Sequence, residues 1–130
     1  MHQTQDEGNA GHPGRAADAD RSISIDANDT GFSLDHIAVR AGETVRFVVT
    51  NIGKIDHEFS IATHAEHLEH RAMMAAMPNM KHHDADVITM KPGQTKDLIW
   101  KFGNASQLEF ACDIPGHAEA GMTGAVAVSR

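Results

Sequence analysis

The sequence predicts an all-β domain, a sandwich of short antiparallel strands that carries one helical insertion around residues 63–77. Three observations lead there. From about residue 21 onward, apolar residues recur at every second position in short runs, which is the pleat period of a strand. Clusters of Gly, Asn, Asp and Pro separate these runs at regular intervals, as hairpins and sheet crossings require. Only 63–77 breaks the pattern, with a stretch of Ala, Glu, Leu, Met and Arg that contains neither Gly nor Pro.

Taken in order, residues 1–20 are small and polar without apolar periodicity, and read as a disordered tail before a single domain over 21–130. Ile23 and Ile25 alternate with Ser22, Ser24 and Asp26 in a first strand, and Asn28-Asp29-Thr30-Gly31 is turn chemistry. Residues 32–39 read as one extended segment, and Ala41-Gly42-Glu43 turns the chain into Thr44–Asn51, where Val45, Phe47 and Val49 share a face. Asn51-Ile52-Gly53-Lys54 breaks that strand before His57–Ile61 begins another. Thr63 and Glu66 have the spacing of a capping box for the helix, which Pro78 terminates, and 79–86 is a returning loop. Val87–Met90 is a strand, followed by a Lys91-Pro92-Gly93-Gln94 turn and a strand with Leu98, Trp100 and Phe102 on one side. Leu108, Phe110 and Cys112 share one parity, so Cys112 points inward at a strand end, and Gly124–Ser129 closes the domain.

Composition excludes several functional classes. No run approaches the ~18 apolar residues of a membrane-spanning helix, so membrane insertion is not expected. A net charge of -7 argues against nucleic acid and anionic lipid as partners. The start, Met1-His2-Gln3-Thr4, lacks the basic and apolar regions of a signal peptide, which fits either a cytosolic chain or a mature exported form given an initiator Met. With one cysteine, no disulfide can form within the chain, and a free thiol in an oxidising compartment needs protection of the kind a metal gives. Histidine and methionine are in excess, and five of the ten histidines and four of the seven methionines fall between His64 and His83.

The stretch that carries chemistry is Phe110–Met122, where Cys112, His117 and Met122 follow one another at intervals of five residues. Each alone has an ordinary explanation: a core cysteine, a loop histidine, a core methionine. Together, in a loop that Pro115, Gly116 and Gly121 force to turn, they offer thiolate, imidazole and thioether to one point. That graded softness suits copper in a trigonal His2Cys arrangement with a weak axial Met, and His57 is the candidate for the second imidazole.

These residues resemble the cupredoxins, the small blue-copper proteins that include plastocyanin, azurin and auracyanin. The resemblance covers roughly 22–130 and rests on Phe110-Ala111-Cys112, Pro115-Gly116-His117 and Gly121-Met122-Thr123-Gly124, with Asn51-Ile52-Gly53 and His57-Glu58-Phe59 upstream. It implies a Greek-key β-sandwich with a type 1 copper ion at one end. Cys112, His57 and His117 then correspond to the equatorial ligands and Met122 to the axial one. With that fourth position filled and no general base or nucleophile pair evident, electron transfer or metal holding is expected and an enzyme is not. Two positions depart from the family. Many cupredoxins have Asn after the first His ligand and Ser or Thr after the Cys, where this chain has Glu58 and Asp113. Two carboxylates facing one another cannot pair unless one is protonated, so an acidic, distorted green site of lowered potential is expected.

His67, His70, Met74 and Met77 recur at helical spacing, with His64 a turn earlier and Met73, Met80, His82 and His83 nearby. Two readings stand. Met74, Met77 and Leu68 pack on the sandwich as ordinary core with histidines at the edge, or His67, His70, Met74 and Met77 form a second, softer copper surface. The insertion resembles that of the CopI type of periplasmic cupredoxins associated with copper tolerance. The expected function is therefore a periplasmic type 1 copper protein that cycles between Cu(I) and Cu(II) in copper tolerance. The alternatives are a dedicated electron shuttle between a cytochrome and an oxidase or reductase, and a cuprous oxidase.

Overall fold

The computed structural model describes residues 9–77, 87–105 and 107–130. Ten strands and one helix follow in order: β1 Gly11–Pro13, β2 Arg21–Asn28, β3 Gly31–Phe32, β4 His36–Arg40, β5 Thr44–Asn51, β6 His57–Ala62, α1 His64–Ala76, β7 Val87–Met90, β8 Thr95–Phe102, β9 Gln107–Ala111 and β10 Thr123–Ser129. They form two five-stranded sheets, ordered β1-β8-β5-β2-β3 and β4-β10-β9-β6-β7. The expected sandwich with a single helical insertion is present.

Alternation dictates which residues face inward. On β5 and β8, Val45, Phe47, Val49, Leu98, Trp100 and Phe102 are buried from one sheet, and Phe59, Ile61, Leu108, Phe110 and Val126 from the other. Phe59 and Phe110 stack at 5.6 Å between ring centroids, and Phe32 meets both edge-on at 5.7 and 5.5 Å. Such aromatic pairs contribute about 0.5–1.5 kcal/mol each beyond their buried area. Here they also lock β6 to β9, which pair antiparallel with Ser60 opposite Ala111. His57 opens β6 and Cys112 follows β9, so this rigid pair sets the site.

Three expectations change. The sheets are mixed rather than antiparallel, because β2 pairs with β5 and β10 with β4 in parallel. Between β2 and β5 the chain visits the other sheet as β4, and so returns to the first running the same way. The segment 32–39 is two strands in different sheets, separated at Ser33–Asp35. The tail assigned to 1–20 is structured from residue 9. β1 adds to the edge of β8, and the Trp100 indole N–H donates to the Ala10 carbonyl at 2.9 Å. Residues 1–8 lie outside the described residues, as do the expected 79–86 loop and with it Met80, His82 and His83.

The helix begins as its sequence requires. Thr63 Oγ1 accepts from Glu66 N at 3.2 Å while Glu66 Oε1 accepts from Thr63 N at 2.9 Å, a reciprocal capping box.

Candidate metal centre

His57 is fixed by the loop that precedes it. The buried Asn51 side chain donates to the carbonyls of Ile55 and Met90 at 2.8 and 2.9 Å and accepts from Gly53 N at 2.8 Å. That holds the 51–56 segment against β7, and His57 enters β6 fully buried. From the other strand, Cys112 N donates to the Met122 carbonyl at 3.1 Å, closing the loop at its two ends. Within it, His117 N donates to Ile114 O at 2.9 Å and Met122 N to His117 O at 3.1 Å. Gly116 and Gly121 take φ of 88° and 121°, left-handed conformations that a side chain disfavours.

The result brings the ligating atoms of His57, Cys112 and His117 within 4.8 Å of one another. Cys112 Sγ lies 3.3 Å from His117 Nδ1 and accepts the Glu58 N–H at 3.3 Å, and the two imidazole rings sit 5.1 Å apart. Met122 is fully buried at the end of the same loop. His57 Nε2 hydrogen-bonds Asp29 Oδ1 at 2.8 Å, which leaves Nδ1 as the ligating nitrogen. Among the described residues that buried Nδ1 has no hydrogen-bond partner, an expense a protein rarely keeps unless something else binds there. A bare imidazole nitrogen, a thiol and a second imidazole, with a buried thioether beside them, fit copper.

Electrostatics prepare the set unevenly. Burial pushes the Cys112 thiol up to about 12, against the smaller opposing effect of the Glu58 and Ile114 N–H groups. Burial also lowers His117, with the neighbouring His57 acting in the same direction, which favours the neutral imidazole that can ligate a metal. Asp29 lies below the ordinary carboxylate range, chiefly through its hydrogen bond with His57 and then that of Lys54 N.

The acidic neighbours behave differently from the expectation. Asp113 is buried, and its side-chain partners are three residues of α1 together with Ser60 of β6. Oδ2 accepts from His67 Nδ1 at 2.7 Å, His70 Nδ1 at 3.1 Å and Ser60 Oγ at 3.4 Å, and Oδ1 from Arg71 Nε at 2.8 Å. His67, His70 and Arg71 stand at i, i+3 and i+4, so one face of the helix presents all three to one carboxylate. His67 Nε2 also meets the Glu109 carbonyl at 2.9 Å. Both partners of that ring are acceptors, so both nitrogens carry hydrogen and His67 is an imidazolium. Burial works against this charge, but Asp113 outweighs it and His67 titrates above its ordinary value. Burial likewise works to raise Asp113, and His67, Arg71 and His70 overcome it to hold the carboxyl at about 2.

This network bears on both readings of the insertion. With both nitrogens engaged, His67 has none for a metal, so the set His67, His70, Met74 and Met77 loses a member, and His70 turns its Nδ1 to Asp113 as well. Nor do the apolar residues pack as core: Leu68 and Met77 remain 49% and 42% exposed, and Met74 is half-buried. The helix docks through charge because the surface that receives it presents Ser60 and Asp113. A cleft of about 270 Å3 between them is lined by Ser60, His67, His70, Met73 and Asp113, among others. Arg71 and Asp29 were missed in the sequence. Helical spacing from His67 could have found Arg71, whereas nothing local marks Asp29, 28 residues from the histidine it meets.

Residues 19–129 match the profile of the copper binding proteins of the plastocyanin/azurin family. The chain is 45% identical over 115 residues to the copper-resistant cuproprotein CopI of Vibrio cholerae, covering 86% of this chain and 68% of that one. It is 46% identical over 119 residues to the CopI of Rubrivivax gelatinosus, covering 91% and 72%. Among solved structures, auracyanin B superposes with a TM-score of 0.73 at 15% identity, over 95% of this chain and 99% of that one, a likeness of fold. The chain therefore belongs to the plastocyanin/azurin family of copper-binding proteins, as a cupredoxin of the CopI type with copper as its cofactor.

Proposed function

We propose that this chain holds copper in the service of copper tolerance in the periplasm, cycling it between Cu(I) and Cu(II) without catalysing a reaction of its own. His57, Cys112 and His117 are the equatorial ligands and Met122 is the axial one. The observation that carries this is the convergence of His57, Cys112 and His117 within 4.8 Å around a buried, unpartnered His57 Nδ1. Bound copper supplies a one-electron couple, and thiolate coordination gives its Cu(II) form strong visible colour. The chain supplies ligands fixed on two strands and a hydrogen-bonded loop, so neither oxidation state requires them to rearrange. The CopI relatives carry copper resistance in their names, which supports the cellular role and fits a periplasmic address. No helix among the described residues is long and apolar enough to cross a membrane.

A second reading, an electron shuttle to a cytochrome or another redox protein, is favoured by Ile52 and Ile55. These are 58% and 48% exposed in the segment that leads into His57, a small apolar surface beside the copper ligands.

Metal analysis with a visible spectrum, repeated on Cys112→Ser, tests the centre. One copper per chain with an intense thiolate band that the variant loses is expected, and colour retained in Cys112→Ser overturns the assignment. Loss of growth on copper when the gene is deleted, restored by wild type and not by Cys112→Ser, tests the role. Normal growth of the deletion strain, combined with fast electron exchange with a cytochrome, favours the shuttle.

A further inference from the structure

We propose that Asp29 is a positioning residue of the copper centre, whose carboxylate holds His57 in the Nε2–H tautomer, leaves Nδ1 bare for the metal and strengthens that nitrogen as a donor to Cu(II). This inference deepens the copper reading above and rests on it.

The carboxylate is a fixed acceptor rather than a passing contact. Asp29 sits in the turn between β2 and β3, where Asn28 Oδ1 accepts from the Thr30 N–H at 2.8 Å and folds the chain back. Its two oxygens accept from Lys54 N, both at 3.0 Å, and Ile55 N adds a further backbone hydrogen bond. Gly53 makes room for this approach, since a Cβ there would overlap the carboxylate. The acid is thus anchored to the 53–55 segment independently of His57, and it then reaches His57 Nε2 at 2.8 Å. An ionised carboxylate only accepts, so the shared proton belongs to Nε2, and in the neutral ring that binds a metal Nδ1 is then the bare nitrogen. A carboxylate–histidine–metal relay of this kind orients the ring, selects the tautomer and raises ligand basicity. It also places negative charge next to the ligand set, which favours the more positive oxidation state of the metal.

The relay makes a prediction that needs no metal. In metal-free protein labelled with 15N-histidine, long-range 1H–15N correlation spectra should show His57 protonated at Nε2 and bare at Nδ1. Asp29→Asn keeps a carbonyl acceptor without the charge, and so should keep the tautomer. Asp29→Ala should give a mixture of tautomers. Replacing such a partner typically costs 10–100-fold in metal affinity, so the Cu(II) dissociation constant of Asp29→Ala should rise by about that factor. The reduction potential should move upward in both variants. A wild-type His57 protonated at Nδ1 overturns the proposal, as does an unchanged potential in Asp29→Asn, which is decisive even where Asp29→Ala does not fold. A wild-type protein that gave the expected tautomer yet no thiolate–copper band would overturn the copper centre and leave the tautomer assignment standing.

Discussion

Replacing Asp113 by Asn tests whether α1 is tied to the metal loop by charge. Asp113 is fully buried, and its partners His67, His70 and Arg71 have side chains only 1%, 13% and 17% exposed. The substitution leaves cationic groups without a counter-charge in a poorly solvated place. Removing one member of a buried ion pair costs about 3–5 kcal/mol, because the remaining charge is uncompensated. A second route gives a smaller figure of the same order. A carboxyl held at about 2 against an ordinary 3.8 contributes roughly 2–3 kcal/mol at neutral pH, at 1.36 kcal/mol per pKa unit. Against a total stability of about 5–15 kcal/mol either loss is large. Urea unfolding of the metal-free, reduced protein should show a lowered midpoint with an unchanged slope. Its pH dependence gives a second check. Asp113 is depressed in the fold, so its contribution is complete above pH 3.8 and disappears as pH falls toward 2. His67 is raised, so its contribution is complete below pH 6.5 and disappears as pH rises through its value in the folded protein. The network is therefore strongest between these limits, and Asp113→Asn should flatten both flanks. A loss below about 1 kcal/mol, or flanks unchanged from wild type, would refute the argument.

Three other outcomes follow from the same geometry. Thr63→Ala removes the capping box and should cost about 1 kcal/mol by denaturant unfolding, with no effect on the copper spectrum. Gly121→Ala forces a side chain into φ 121° beside the Thr30 carbonyl, so the 113–122 loop should loosen, with stability down by about 1 kcal/mol or more and faster copper loss to a chelator. Because burial holds the Cys112 thiol protonated, up to about 12, copper loading at neutral pH should release about one proton per chain from that site, measurable by pH-stat and absent in Cys112→Ser.

What the sequence revealed was local or patterned; what it hid was long-range and polar. The capping box at Thr63 was readable because both partners lie within one turn, and the inward direction of Cys112 because strand parity is a property of its own run. His57 could be paired with Cys112 only through the family resemblance, since no spacing rule links two strands that meet through β6–β9 register. β1 left no trace because its contribution is backbone pairing with β8, which needs no apolar side chains. The face of α1 was misread for a related reason. Methionines at helical spacing signal a core face in water, but this helix lands on Ser60 and Asp113, so its inward face is filled by His67, His70 and Arg71 while Leu68 and Met77 stay exposed. The Asp29–His57 contact depends on a turn in one sheet touching a loop that leads into the other, and neither segment announces it.

Two of the carboxylates near the ligands, Asp113 and Asp29, differ in how much of their charge reaches the copper. Asp113 adjoins Cys112 in sequence, yet His67 and Arg71 more than offset its charge within hydrogen-bond distance, with His70 as a further donor. One carboxylate facing an imidazolium and a guanidinium leaves that cluster with no net negative charge to present to the metal. Asp29 is more exposed and one residue farther out, but its other partners are the backbone N–H groups of Lys54 and Ile55, which carry dipoles and no net charge. Its negative charge is felt through the His57 ring. Lowered potential, expected from the acidic residues that flank the ligands in sequence, should thus trace to Asp29 and be nearly indifferent to a swap that removes the Asp113 carboxylate together with one cation, His67. Comparing Asp29→Asn with the combined Asp113→Asn, His67→Gln variant, in which one negative and one positive charge go together, separates the two. An upward shift confined to the first supports this charge assignment, and a larger shift in the second would show that the helix, and not the β2–β3 turn, sets the potential.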